Sequence, residues 1–413
     1  MTRPSLDRLW AQGRVGDLLA ALALTLAVVV LNVLPQVTVI EDGGIAILSH
    51  ARFAQDLLET GVFFPGHFLY HLAVAVAHVF MPVSWLQAHV VVIVLTRIWL
   101  ALILFRLVRA SLLPMDEGQA RCIAVAVAVA QTFASSVSFF TWGASNYYLG
   151  YLVPNLYHNP TYVIMQPLAL LVFYAVLRVV TDPSKGFGLE GAGWLAILSV
   201  LSVLAKPNMM IALIPAAGCY VLLRGLLGNS RIIATLAVGM VLPSLAVMAW
   251  QYTSTVLAVQ GLEQGEGSGF RIAPFYVMGI LSEVGLPGAP GWVLLPKFVG
   301  AVLFPAAVAL VYRRAAWRDP RMVLAWLLFA FGAAFAYLLA EHPRPNPGNF
   351  VWSGHIALFV LMVVSTLFFI EQGSAQGGWG VRRLIATPGR ALCVVLFVLH
   401  VVAGVGPFLW PSR

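Results

Sequence analysis

Apolar stretches of about 20 residues follow one another along the whole chain, and they leave few folds open. In hydrocarbon every backbone amide needs a partner within its own segment, so such stretches form helices rather than open sheets. They fall at about 18–38, 87–107, 119–139, 160–180, 191–205, 208–224, 232–256, 294–312, 322–340, 351–371 and 390–410. Of the 413 residues, 61% are hydrophobic and 10% charged, too little polar surface to cover a water-exposed core of this size. No signal-peptide cleavage pattern stands out, and Leu18 to Thr38 is long enough to remain as an anchor. Cys122, Cys219 and Cys393 each lie inside an apolar run, which argues against a disulfide framework or a thiolate metal site. The expectation is an all-α polytopic membrane protein of about 11 transmembrane helices. It forms a single transmembrane domain over 1–413 with no soluble domain.

The net charge of +8 would suit nucleic acid, but its distribution fits a membrane better. Arg3, Arg8 and Arg14 precede the first span. Alternate loops then carry Arg106, Arg109 and Arg121; Arg178 and Lys185; Arg224 and Arg231; Arg313, Arg314, Arg318 and Arg321; and Arg382, Arg383 and Arg390. The other side keeps only Arg52, Lys206, Arg271, Lys297, Arg344 and Arg413. The positive-inside rule then puts the N-terminus in the cytoplasm of a multi-pass plasma (inner) membrane protein. It leaves the lipid bilayer, and no nucleic acid, as the large partner.

That bookkeeping decides one ambiguous segment. His67 to Met81 is apolar but only about 15 residues long, and as a span it would invert every later loop. It reads instead as a helix in the outer interface. Gly44 to Thr60 reads likewise, with Ile47, Ala51, Ala54 and Leu58 on one stripe and Ser49, Arg52, Asp56 and Glu59 on the other. Gly61–Gly66, with Pro65, would join the two. The other outer loops are 140–159, 257–293 and 341–350. They are long where the basic loops are mostly short, which places function on the outer face. No internal repeat and no inverted pair of broken helices is evident.

Five constellations could carry chemistry. Glu41 and Asp42 follow the first span, where a neighbouring like charge and lipid would raise one carboxyl toward the range of a general base; they equally fit a polar stop at a helix end. Lys206 sits at a hairpin tip, as a point charge for a phosphate or a lysine snorkelling to the surface. His67, His71 and His78 share a helical face with Tyr70 beside them. The first two have metal-pair spacing, but no third ligand is obvious, so the polar face of an interfacial helix is the stronger reading. Asn146, Tyr147 and Tyr148 precede Asn155, Tyr157, His158, Asn159 and Tyr162, apt for holding a sugar and equally apt for an interfacial aromatic belt. The segment with Glu341, His342, Arg344, Asn346, Asn349, Trp352 and His355 could bind an anion through its arginine. Arg97, inside the second span, requires a partner. No Walker loop, dinucleotide-binding glycine pattern, CxxC or GxSxG is present, so nucleotide-driven and serine-hydrolase chemistry find no support.

The order of these features resembles the GT-C superfamily of membrane glycosyltransferases over roughly the first 225 residues. The acids after the first span, Glu41 and Asp42, are similar to the family's base. ARFAQDLLETGVFFPGHFLYHLAVAV resembles its two juxtamembrane helices and their proline-containing join, and the span ending in FRLVR resembles its second helix. SVLAKPNMMIALIPA resembles the hairpin that presents a lysine to the active site, here Lys206. The chain departs in reading FPGHFLYH rather than a double proline, in following the lysine with Pro207, and in lacking the C-terminal soluble domain of many members.

The resemblance implies a core at 18–225 with additional helices and outer loops over 226–413. It implies inverting transfer of a sugar from a polyprenyl-phosphate donor to a lipid or glycan acceptor. Asp42 or Glu41 would be the base, and Lys206 and Arg344 would hold the donor phosphate. His71, Tyr70, Tyr157, His158, Asn159, Asn349 and Trp352 would line the substrate. No metal or other cofactor is assigned. The competing expectations are a transporter or flippase of lipid-linked glycans, and a degenerate scaffold of the same fold.

Overall fold

The computed structural model describes residues 15–33, 45–61, 66–112, 115–138, 150–156, 159–181, 189–257, 269–281, 291–342, 348–374 and 385–409. Its helices are α1 (Val15–Val28, continued by a π turn at Val29–Val33), α2 (Ile45–Thr60), α3 (Leu69–Phe80), α4 (Trp85–Ser111), α5 (Glu117–Phe133), α6 (Pro160–Thr181), α7 (Leu189–Ala205) and α8 (Asn208–Leu223). After them come α9 (Ser230–Leu236), joined through a π turn to α10 (Leu242–Gln251), then the short α11 (Tyr276–Ile280), α12 (Gly291–Val311), α13 (Arg313–Ala316), α14 (Pro320–Leu338), α15 (Val351–Ser374) and α16 (Pro388–Leu409). The chain is nearly all helix, and a helix stands at each of the apolar stretches read from the sequence. Seven helical stretches are long and apolar enough to cross a membrane, and shorter apolar helices accompany them.

Local chemistry sets where the helices begin. Ser84 and Gln87 form a reciprocal capping box on α4. Asp116 caps α5 through the amide of Gln119. Asp319, followed by Pro320, caps α14 through the amides of Arg321 and Met322. Each such cap is worth about 1 kcal/mol, and together they set the register of long apolar segments whose composition alone would let them slide.

The centre of the bundle is α15, buried along its whole membrane-length stretch. Helix α14 lies tightly against it, because Gly332 lets the backbone carbonyl of Ser353 approach to where a Cβ would stand only 2.5 Å away. The periphery is apolar and open. Leu18, Leu22 and Leu26 on α1, and Leu392, Val395 and Val398 on α16, are exposed, as a surface that meets hydrocarbon should be.

Two features depart from the sequence reading. Residues 140–159 read as an outer loop, yet the described part, 150–156, runs buried inside the bundle beside the extended residues 134–138 that follow α5. Non-helical backbone survives there because its polar groups are satisfied by protein. Ser135 N donates to His400 O at 2.9 Å, Val137 N to Gly300 O at 3.0 Å, and Asn155 Nδ2 to the carbonyls of Gln131 and Ala134 at 3.0 and 2.7 Å. Arg97, fully buried, finds Gln166 Oε1 at 2.9 Å and the carbonyl of Leu156 at 3.4 Å, so this costly cation ties α4 to that inner segment. The second departure is a small antiparallel ribbon, β1 (Gly269–Ile272) on β2 (Leu339–His342), pairing Phe270 with Glu341 and Arg271 with Ala340.

Candidate functional site

The site is built where three helices begin. Residues before proline are pushed away from helical backbone, so Lys206-Pro207 breaks the α7–α8 hairpin, and Lys206 N closes α7 on Ser202 O at 2.9 Å. Asn208, the first residue of α8, donates to Asn349 O at 2.6 Å and Ser353 Oγ at 3.0 Å, pinning the tip to the start of α15. Asn159 caps α6: its Oδ1 accepts from Tyr162 N at 3.1 Å and from Thr161 Oγ1 at 2.7 Å. Lys206 lies between these ends. Its ammonium donates to Thr161 Oγ1 at 3.3 Å and stands 4.3 Å from the centre of the Trp352 ring.

Lys206 is 3% exposed, and among the described residues no carboxylate comes within ion-pairing distance of it. Burial pushes its pKa down to about 7, with Glu341 acting in the opposite sense. Glu341, on β2, accepts hydrogen bonds from the side chain and backbone of Asn349. Desolvation raises its carboxyl above the ordinary value, against those bonds and Lys206. The aromatic wall behind Lys206 continues from Trp352 to Tyr162 and His355, with ring centres 5.6 and 5.5 Å from that of Trp352. Tyr162 and His355 are fixed by the inner segment, through Pro154 O at 2.7 Å and Val153 N at 2.9 Å.

A histidine cluster faces the lysine from α2 and α3. His50 and His71 stack, ring centres 5.1 Å apart, and share a hydrogen bond of 2.8 Å. The Tyr70 hydroxyl bonds His89 Nδ1 at 2.9 Å. Burial lowers His50 to about 4 and His71 to about 3, and Lys206 adds to both shifts, so these imidazoles are neutral donors and acceptors. His67 is lowered by burial, Lys206, His71 and His50 together. Gln251 holds the segment just before it, donating to Gly66 O at 2.9 Å and to Val203 O at 3.2 Å on the lysine hairpin.

Several sequence-predicted residues therefore meet: Lys206, Trp352, Asn349 and Asn159 in one group, Tyr70 and His71 in the adjoining one. Tyr70 and His71 are fully buried. The single histidine face does not form. Helix α3 begins at Leu69, after His67, and His78 turns away to donate to Val83 O at 2.8 Å and stack on Trp85. Among the described side chains of α2 the buried positions are Ala54 and Leu57, while Leu58 of the expected stripe is exposed. The helix is thus rotated by about one residue, which brings His50 inward.

Glu41, Asp42, Tyr157, His158 and Arg344 lie outside the described residues. His50, Thr161 and Ser353 escaped sequence reasoning, because nothing local marks them. Asn208, beside Pro207, had a signal in its position at the tip. Among the described residues no group of three or more His, Cys, Asp or Glu could hold a metal ion.

Comparison with known proteins adds no kinship: no family model matches the chain, and neither does any curated protein or solved structure.

Proposed function

We propose that this chain is a membrane glycosyltransferase that moves a sugar, with inversion, from a polyprenyl-phosphate donor to a lipid or glycan acceptor on the extracytoplasmic side. One observation carries the reading. A buried lysine with no carboxylate partner among the described residues sits among the first turns of α6, α8 and α15, touching Thr161 and Trp352, with Asn208 and Ser353 joined beside it. Each helix start contributes about half a positive charge. Together with the ammonium they favour an anion, and a phosphate is the anion such a convergence suits. The apolar periphery suits a donor carried in the bilayer.

In this reading all eleven apolar helices from α1 to α16 span, counting α9–α10 as one rod and leaving α2, α3, α11 and α13 outside. The N-terminus is cytoplasmic, and the Lys206 end faces outward. Asp42, with Glu41 as the alternative, takes the proton from an acceptor hydroxyl as its oxygen attacks the anomeric carbon. The bond to the lipid phosphate breaks, and the phosphate leaves as a dianion whose growing charge Lys206 and Arg344 stabilise. Because that leaving group is already acidic, no strong general acid is needed. Trp352, Asn349, Asn159, Tyr157 and His158 line the sugar, and Tyr70 and His71 position His50 and His67. Arg97, which could have marked a transport path, is engaged by Gln166 and a backbone carbonyl, which suits an anchor.

The test is transfer from a polyprenyl-phosphate sugar by the purified protein in nanodiscs. Glu41→Gln with Asp42→Asn should abolish turnover and leave donor binding intact. Full activity in that double variant would remove the assignment of the base, and no turnover by the unaltered protein across donors would remove the enzyme reading.

A further inference from the structure

The β1–β2 ribbon stands apart from the helices. It leaves the end of α14 and carries two large apolar side chains into the open: Phe270 is 69% exposed and Ile272 79%. Alternate residues of a strand share a face. The register therefore puts Phe270, Ile272, Leu339 and Glu341 on one side, and Gly269, Arg271 and Ala340 on the other. On that second side the Arg271 guanidinium lies 5.0 Å from the ring centre of Tyr276. The ribbon is tied down: Ala273 N donates to Leu338 O at 2.8 Å and Phe275 N to Tyr337 O at 2.5 Å, while Val277 and Met278 of α11 are buried. Phe275 accepts a left-handed backbone, φ 61°, to make this connection, a conformation that is uncommon for a bulky residue.

We infer that Phe270 and Ile272 dip into the acyl chains of the leaflet on the Lys206 side, making the ribbon a fixed interfacial lip beside the site. The reason for lipid rather than protein is continuity. The ribbon leaves directly from the end of α14, where Leu338 is 41% exposed, and the exposed Phe270 and Ile272 pair with Glu341 and the half-buried Leu339 of the strand that continues it. An arginine over an aromatic ring on the opposite side is the pairing found at the headgroup level. The depth is bounded as well. A strand edge with open amides cannot enter hydrocarbon, so the side chains enter and the backbone stays among the headgroups. The lip ends at the site, because Phe270 touches Phe350, with ring centres 6.2 Å apart, and shares its face with Glu341. This inference requires only that the bundle sits in a bilayer, not that it transfers sugars.

The test uses the full chain with its three cysteines replaced by alanine, carrying single nitroxide labels at Gly269→Cys, Phe270→Cys, Arg271→Cys and Ile272→Cys in phosphatidylcholine nanodiscs. Positions 270 and 272 should collide with oxygen more than with a water-soluble nickel chelate, and 269 and 271 the reverse. The alternation should collapse in detergent-free amphipol. Equal nickel access at all four positions would overturn the proposal. So would dipolar broadening at 270 and 272 in nanodiscs loaded with two copies, which would mean that a second chain covers the face. Adding a polyprenyl phosphate at saturating level should leave the 272 signal unchanged. Immobilisation by that ligand alone would assign the face to a substrate tail instead of bilayer lipid and would also overturn it. Circular dichroism of each labelled variant verifies that the bundle is folded.

Discussion

The two ends of the bundle handle cations in opposite ways. At one end, three of the described arginines are matched by acids. Asp17 joins Arg109 and Arg121, Glu117 joins Arg121 at 2.8 Å, and Arg321 is clasped by Asp319 at 2.9 Å and by Glu371, which also takes a hydrogen bond from Ser111 at 2.9 Å. These pairs knit the starts of α1, α5 and α14 to the ends of α4 and α15. At the other end, Lys206 has a hydroxyl, an aromatic ring and the starts of three helices. A charge neutralised within the protein stabilises it. A charge left beside like-signed dipoles costs stability and is retained where it meets something from outside.

That contrast can be broken most directly at Lys206. Under the proposed function, Lys206→Met should lower kcat/KM for transfer by about 100-fold or more, the scale of losing one charge stabiliser in a water-poor site. The same variant should unfold at a temperature equal to or above that of the parent, since it removes a buried cation that has no carboxylate partner among the described residues. A clear fall in melting temperature would mean that the lysine is structural.

Arg321→Met should do the reverse. It strands Asp319 and Glu371 and should cost about 3 kcal/mol, as breaking a largely buried pair does. Turnover at permissive temperature should change little, so calorimetry with an activity assay separates the two ends. Gly332→Leu strikes the scaffold they share: a Cβ would meet Ser353 O at 2.5 Å and Ala357 Cβ at 2.7 Å. Forcing α14 off α15 should cost about 2 kcal/mol and should also loosen Asn208, which Ser353 holds. A variant that melts normally would show that the interhelical contact is slack.

The smallest effect is in pH. Lys206 is lowered to about 7 from an ordinary 10.5. Between those values the unfolded chain holds a proton that the folded chain has lost, so stability should rise with pH across that window and flatten outside it. Affinity for inorganic phosphate should run the other way, weakening above pH 7 by at most tenfold per unit. Lys206→Arg, which keeps its proton, should abolish that decline, and an unchanged profile would detach phosphate binding from this residue.

Much of the scaffold was legible in the sequence, because hydrocarbon imposes a local rule. A long apolar segment must satisfy its own amides, so length and composition locate helices without knowledge of their neighbours. Ser84, Asp116, Asn159 and Asp319 then fix where helices start, again through bonds a few residues long. The lysine hairpin was legible for the same reason, since Pro207 breaks the helix locally. The site was legible only in fragments. His50 meeting His71, Thr161 meeting Lys206 and Asn208 meeting Ser353 are contacts across 21, 45 and 145 positions, and no periodicity encodes them.

Residues 140–159 read from the sequence as an aromatic, polar outer loop, and nothing local in it shows that 150–156 is buried. Only packing reveals that Asn155 faces the backbone carbonyls of Gln131 and Ala134. The sequence by itself determined that the chain forms apolar helices with their arginines gathered in alternate loops. The tertiary structure decided which of the described arginines meet acids and that Lys206 meets a hydroxyl and an aromatic ring instead, because charge compensation depends on distances between helices far apart in the chain.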